Sequence, residues 1–247
     1  MFDTQGMLRS AASSLEASSL GVLAPDLLEQ LRRAGSKDLL PVPQALAELF
    51  PERGVRRGST ITVSGSSSLV LALLAEVSQH QGWCAEVGSP LLGSAAAAEA
   101  GVELERFVRV AEPGEQWPSV VASLLEAFDI VVIHPPPRAR EADMRRLSAR
   151  ARERSAVLLV AGDNDNKDAA HYTSAWPGTH YTSAWPGTHY TSAWPGTQIG
   201  LTVIEQRWHG LGSGHGYLQA HEIEVQSLGR GAAIRPRRAT VWLPQAL

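Results

Sequence analysis

The apolar pattern along the chain changes character twice. Over residues 1–40 it follows a helical spacing, and Pro25 opens a short segment carrying Leu27, Leu28 and Leu31 that Gly35 closes. This predicts a helical arm. From Gly58 the period switches between strand and helix. The β-branched run Thr60-Ile61-Thr62-Val63 predicts a strand, and a helix follows over 69–79. Further strands are expected at 83–87, 106–110, 130–133 and 156–160, with helices over 95–100, 117–128 and 141–154 between them. The runs 130–133 and 156–160 are apolar throughout, as strands covered on both faces should be. The alternation implies a largely parallel sheet flanked by helices.

Residues 163–197 interrupt this order with a polar run and then three identical units, HYTSAWPGT, beginning at His171, His180 and His189. Pro-Gly is a turn signal, and an insertion of this composition reads as a loop with no packed element. After it, 198–206, 217–226 and 239–243 read as strands separated by Gly-rich turns. With no helix between them, they predict an antiparallel extension of the sheet. The expected fold class is α/β, with an arm over 1–40 and one domain over 41–247 that carries the repeat insertion at about 163–197.

Composition narrows the function classes. A chain of 247 residues, 44% of them hydrophobic, supports one domain with a full core. Its 22 basic and 25 acidic side chains leave a formal charge of −3, so a DNA contact would need a local patch. The one cysteine, Cys84, excludes an intrachain disulfide framework and suits a reducing cytoplasm. No apolar run approaches the ~18 residues of a membrane span, and the start MFDTQGMLRS lacks a signal-peptide layout. A cytoplasmic location is expected.

The strand, Gly/Ser loop and helix over 60–79 are the setting of a phosphate-binding loop, in which backbone N–H groups meet phosphates at a helix N-terminus. The chemistry needs two glycines and a lysine. Gly65, Ser66, Ser67 and Ser68 supply one glycine and no ammonium, so the loop is degenerate. An acidic residue at the end of a buried strand would hold Mg²⁺, but 130–133 runs into His134-Pro135-Pro136-Pro137, and Asp129 precedes the strand. Both losses remove the electrostatic support of phosphoryl transfer, so neither ATP hydrolysis, a catalytic residue, a cofactor nor a metal is expected. The serines fit a helix cap or a residual anion site.

These segments resemble the RecA core. ALAELFPERGVRRGSTITVSG is similar to the lead into RecA's first core strand, GWCAEVGSP to the next strand, and MRRLSARARERSAVLLVAG to the helix and strand after the metal-binding strand. A closer resemblance is to ImuA-type (ImuA-prime) mutasome accessory proteins of actinobacteria. It rests on LPVPQALAELFPERGVRRGSTITVSGSSSLVLALLAE, RWHGLGSGHGYLQAHEIEV and GRGAAIRPRRATVWLP, and covers about 40–162 and 198–244.

The resemblance implies a RecA-like domain without ATPase activity that acts in the SOS response to DNA damage, in translesion synthesis and mutagenesis. Its partner would be a Y-family polymerase-like adaptor of ImuB type and, indirectly, an error-prone C-family DNA polymerase. A cell-division inhibitor of SulA type is the alternative, and an active nucleotide-dependent RecA-like protein a second one.

Other groups are candidates for binding. Trp176, Trp185 and Trp194 of the repeats have faces on which bases could stack, but no basic residue interleaves them. The repeat histidines lack metal-ligand partners. Arg146, Arg150 and Arg154 share a helical face opposite Met144, Leu147 and Ala151, a possible basic face for phosphate or an acidic partner. This leaves a weak DNA contact open. Arg235, Arg237 and Arg238 precede a strand bearing Trp242, a composition suited to partner binding.

Overall fold

The structure is a computed structural model that describes residues 38–89, 93–136, 139–162, 194–211 and 216–243. All lie in one unit, Lys37–Leu247. The expected arm falls outside them except for its last three residues.

A small two-stranded antiparallel sheet is formed by β1 (Leu39–Leu40) and β2 (Val55–Arg56), on either side of a 3-10 turn at Gln44–Leu49. The main sheet begins with β3 (Thr60–Ser64) and helix α1 (Ser67–Gln79), then β4 (Cys84–Val87), α2 (Ser94–Glu99) and β5 (Phe107–Val110). It continues with α3 (Trp117–Leu124), β6 (Ile130–Ile133), α4 (Glu141–Arg154) and β7 (Val157–Gly162). The last strands are β8 (Thr197–Leu211), β9 (Gly216–Gly229) and β10 (Arg237–Leu243). Eight strands align in the order β10-β9-β8-β3-β7-β6-β4-β5. The pairs from β8 through β5 are parallel, whereas β8–β9 and β9–β10 are antiparallel.

Alternation along each strand separates two cores. Ile61, Val63, Cys84, Val132, Val225 and Val241 face α1 and the 3-10 turn, while Ala85, Val131, Ile133, Leu158 and Val160 face α3 and α4. Helix α4 contributes the expected stripe of Met144, Leu147 and Ala151, with Ser148 buried beside them. It stops at Ser155, whose left-handed backbone (φ 54°) turns the chain into β7.

β8 and β9 run well past their expected ends. In β8 a register shift between Val203 and Glu205 breaks the two-residue alternation: Leu201 and Val203 point inward before it, and Gln206 and Trp208 share that side after it. The repeat insertion lies outside the described residues up to 193. Its last four residues, Trp194–Thr197, do not behave as an unpacked loop, because Trp194 is only 2% exposed and belongs to the α3/α4 core.

Candidate functional site at the carboxyl ends of the parallel strands

Helices α1 and α2 lie on one face of the sheet, α3 and α4 on the other, so the chain leaves the adjacent strands β4 and β6 toward opposite faces. In open α/β sheets such a switch point, at the carboxyl ends of the strands, is where ligands bind. Two separate groups of polar residues stand near this end of the sheet.

The first surrounds the Gly65–Ser68 loop between β3 and α1, where the sequence pattern predicts a degenerate phosphate loop. Gly65 adopts φ 94°, its N–H donates to the Gly162 carbonyl at 3.2 Å, and its own carbonyl accepts from Gln206 Nε2 at 2.9 Å. Ser66 Oγ accepts the Leu69 N–H at 3.3 Å and so caps α1, while Ser67 and Ser68 start the helix. Gln206 also meets His221, whose Nε2 lies 3.1 Å from Gln206 Oε1. His221 is 4% exposed and stacks on Trp208, with ring centroids 3.6 Å apart and planes 5° from parallel. Burial holds its pKa below the ordinary imidazole value.

The second is an ionic cluster centred on Glu86, a residue not singled out by the sequence reading. Glu86 is fully buried, opposite Arg109 on β5 and Val132 on β6. Its Oε1 lies 3.1 Å from His134 Nε2 and its Oε2 3.5 Å from Arg109 Nε; Arg109 also donates to the Ser89 carbonyl at 2.7 Å. Gly88 makes the cluster possible, for a Cβ there would fall 2.7 Å from the His134 carbonyl oxygen. A carboxylate–imidazole pair can hold or move a proton. Here the guanidinium also balances the carboxylate, and the three groups tie β4, β5 and the end of β6 together. Asp129, at the opposite end of β6, binds Arg57 at 2.6 Å and accepts the Trp83 N–H at 2.7 Å. Among the described residues no group of three or more His, Cys, Asp or Glu side chains could hold a metal ion.

The remaining candidates are dispersed. Arg150 and Arg154 both bind Glu126, Arg154 at 2.9 Å, and so fasten α4 to the segment after α3; Arg146 alone of the three stays exposed without an ion pair to it. Arg237 is spent inside the chain, with Nη1 donating to the carbonyls of Glu48 (3.1 Å) and Phe50 (3.2 Å). Arg238 lies 3.5 Å from Glu224, Arg235 is exposed, and Trp242 is 49% exposed with its ring 4.7 Å from that of His209. Trp194 presents no face for base stacking: its indole N–H donates to Ser148 Oγ at 2.9 Å, and that hydroxyl donates to the Pro195 carbonyl at 2.9 Å. Trp176, Trp185 and the repeat histidines lie outside the described residues. Cys84 is buried, and desolvation first, then nearby Asp129, pushes its thiol pKa up. No helix among the described residues is long and apolar enough to cross a membrane.

Comparison with known proteins bears on the parallel half. Residues 48–166 match the family model described as MT3502 N-terminal domain, a stretch that runs from the 3-10 turn past β7 and stops before the antiparallel strands. The uncharacterized protein Rv3395c of Mycobacterium tuberculosis (strain ATCC 25618 / H37Rv) is 34% identical over 139 residues, which cover 54% of this chain and 68% of that protein. The chain therefore belongs to the family of this mycobacterial protein.

Proposed function

We propose that the chain is a RecA-like, non-catalytic accessory factor in DNA-damage-induced translesion synthesis and mutagenesis. It binds a polymerase-like adaptor of ImuB type and, through it, an error-prone C-family polymerase. The observation that carries this reading is the state of the phosphate loop. Strand β3, the loop and α1 keep the layout of an NTP site, yet Ser66 caps the helix, Gln206 holds the Gly65 carbonyl, and no lysine stands in the loop. At the end of β6, where a metal carboxylate belongs, stands His134, engaged with Glu86. A scaffold that retains the layout without the charges suits binding rather than phosphoryl transfer. The central place of β3, between β7 and β8 with helices on both faces, supports the RecA-like assignment.

The adaptor is assigned to the β10 edge, where Trp242 offers an aromatic anchor and Arg235 and Arg238 offer charge. The test is adaptor binding to the full chain, compared with Trp242→Ala and with the double change of Arg235 and Arg238 to Ala, each checked for an unchanged melting transition. Trp242→Ala should weaken binding by about 30-fold, a typical aromatic hot spot. The arginine changes should act mainly on the association rate and its salt dependence. Parent-like binding by both folded variants places the interface elsewhere. An unmodified chain that ignores the adaptor but retains the division protein FtsZ replaces this reading with the division-inhibitor one.

A further inference from the structure

The 3-10 turn at Gln44–Leu49 packs against β10, and the segment that follows it forms an open cleft with the start of that strand. The cleft has a volume of about 430 Å³ and is lined by Glu48, Phe50, Pro51, Arg53, Arg237 and Arg238. Three of its walls are arginine and one is acidic, in a chain whose formal charge is −3. The cleft thus reverses the overall sign of the molecule.

Arg237 is the fixed member. Its Nη1 is spent on the carbonyls of Glu48 (3.1 Å) and Phe50 (3.2 Å), whereas the N–H groups on Nε and Nη2 carry no bond among the described residues. Carbonyls orient a guanidinium without cancelling its charge, and the rest of the fork stays open to a ligand. Arg53 is exposed and pairs with no carboxylate among the described residues. Its backbone N–H donates to the same Phe50 carbonyl at 3.1 Å, in a turn where Arg53 takes a left-handed φ of 56°. Arg238 has 62% of its side chain exposed and meets Glu224 only at 3.5 Å.

The class of ligand follows from what the walls lack. Phe50 is fully buried, so apart from the arginine stems Pro51 alone offers apolar surface. A protein partner finds no pocket here for the aromatic or aliphatic anchors that carry most protein–protein binding energy. Phosphates need no such pocket, because their oxygens accept paired N–H groups from guanidinium forks. At about 430 Å³ the cleft has room for more than one of them, a water molecule taking about 30 Å³. No exposed aromatic ring lines it, so bases have nothing to stack on.

We propose that this cleft binds linked phosphate groups, in the backbone of a nucleic-acid strand or as free polyphosphate, and reads charge but no base. This goes beyond the adaptor reading: Arg53 and Arg237 take no part in that interface, and only Arg238 is common to both.

The test measures binding of a short labelled oligothymidylate and of pyrophosphate to the purified full chain at low salt. For the oligonucleotide, log K should fall with log salt at a slope of about −2, as three neutralised phosphates of a single strand predict. Arg53→Gln and Arg238→Gln, both at exposed positions and checked for unchanged melting, should each weaken binding about five-fold and reduce the slope by about 0.7. Arg53→Lys, which keeps the charge, should retain most of the binding. Arg146→Gln removes the same charge from α4 on the opposite face of the sheet and should bind like the parent. Trp242→Ala should do so too, which separates this site from the adaptor edge. Oligonucleotide binding that pyrophosphate competes away assigns a strand, and pyrophosphate binding alone assigns free polyphosphate; in both cases the two glutamine variants must lose it. The proposal is overturned if neither probe binds, if Arg53→Gln and Arg238→Gln bind like the parent, or if an oligoglutamate peptide of equal charge binds as tightly.

Discussion

His221 is held neutral by its surroundings. Its Nε2–H donates to Gln206 Oε1, and among the described residues Nδ1 has no partner, so protonating Nδ1 would bury a charge that nothing balances. The folded-state pKa therefore lies below that of the unfolded chain. The stabilisation is fully present above the unfolded value and is lost as pH falls from there through the folded one. A urea midpoint should accordingly drop between about pH 7.5 and about pH 5, and His221→Phe, which keeps the stack on Trp208, should flatten that slope. An identical slope in the variant would assign the loss to other groups. Gln206 was not legible in the sequence, because the shift at Val203/Glu205 decides which residues of β8 face inward, and His221 meets it only through the pairing of β9 with β8. Glu86 did leave a signal. A glutamate inside the apolar run 83–87, in a strand covered on both faces, demands a buried partner.

At the scale of elements, alternation of period was enough to place the parallel strands and their helices, since those strands are short and, except for the edge strand β5, buried. It failed at β8, where a register shift breaks the alternation, and at Trp194. That residue shares its nine-residue unit with Trp176 and Trp185, and its position just before β8 brings it against Ser148 on α4. The packing has a measurable consequence. Trp194→Ala should cost about 3–5 kcal/mol, the usual range for a buried tryptophan. Deleting residues 171–188, which leaves the last copy in place, should leave the chemical-denaturation midpoint nearly unchanged. A deletion as damaging as the substitution would mean that the other copies also stabilise the fold.

For the whole molecule, the division between a parallel half and an antiparallel half coincides with the reach of the family match, which ends at residue 166. In the parallel half the polar groups of the loop after β3 are engaged within the chain, Ser66 on the Leu69 N–H and the Gly65 carbonyl with Gln206. Purified protein should show no ATP turnover above background with or without DNA, and no saturable ATP binding by calorimetry. DNA-stimulated hydrolysis that disappears on changing Ser67 or Ser68 would overturn the proposal that the chain is not an ATPase. The architecture was legible because burial on two faces writes itself into uninterrupted apolar runs such as 130–133 and 156–160. The Glu86 cluster was not, because three strands far apart in the chain bring its members together. The anchoring of the final WPGT has a consequence for the gene. Because the three copies are identical, gain or loss of a whole repeat, as long as one copy remains, recreates the same Trp194-to-Gln198 junction, so a change in copy number need not alter the residue that packs on Ser148.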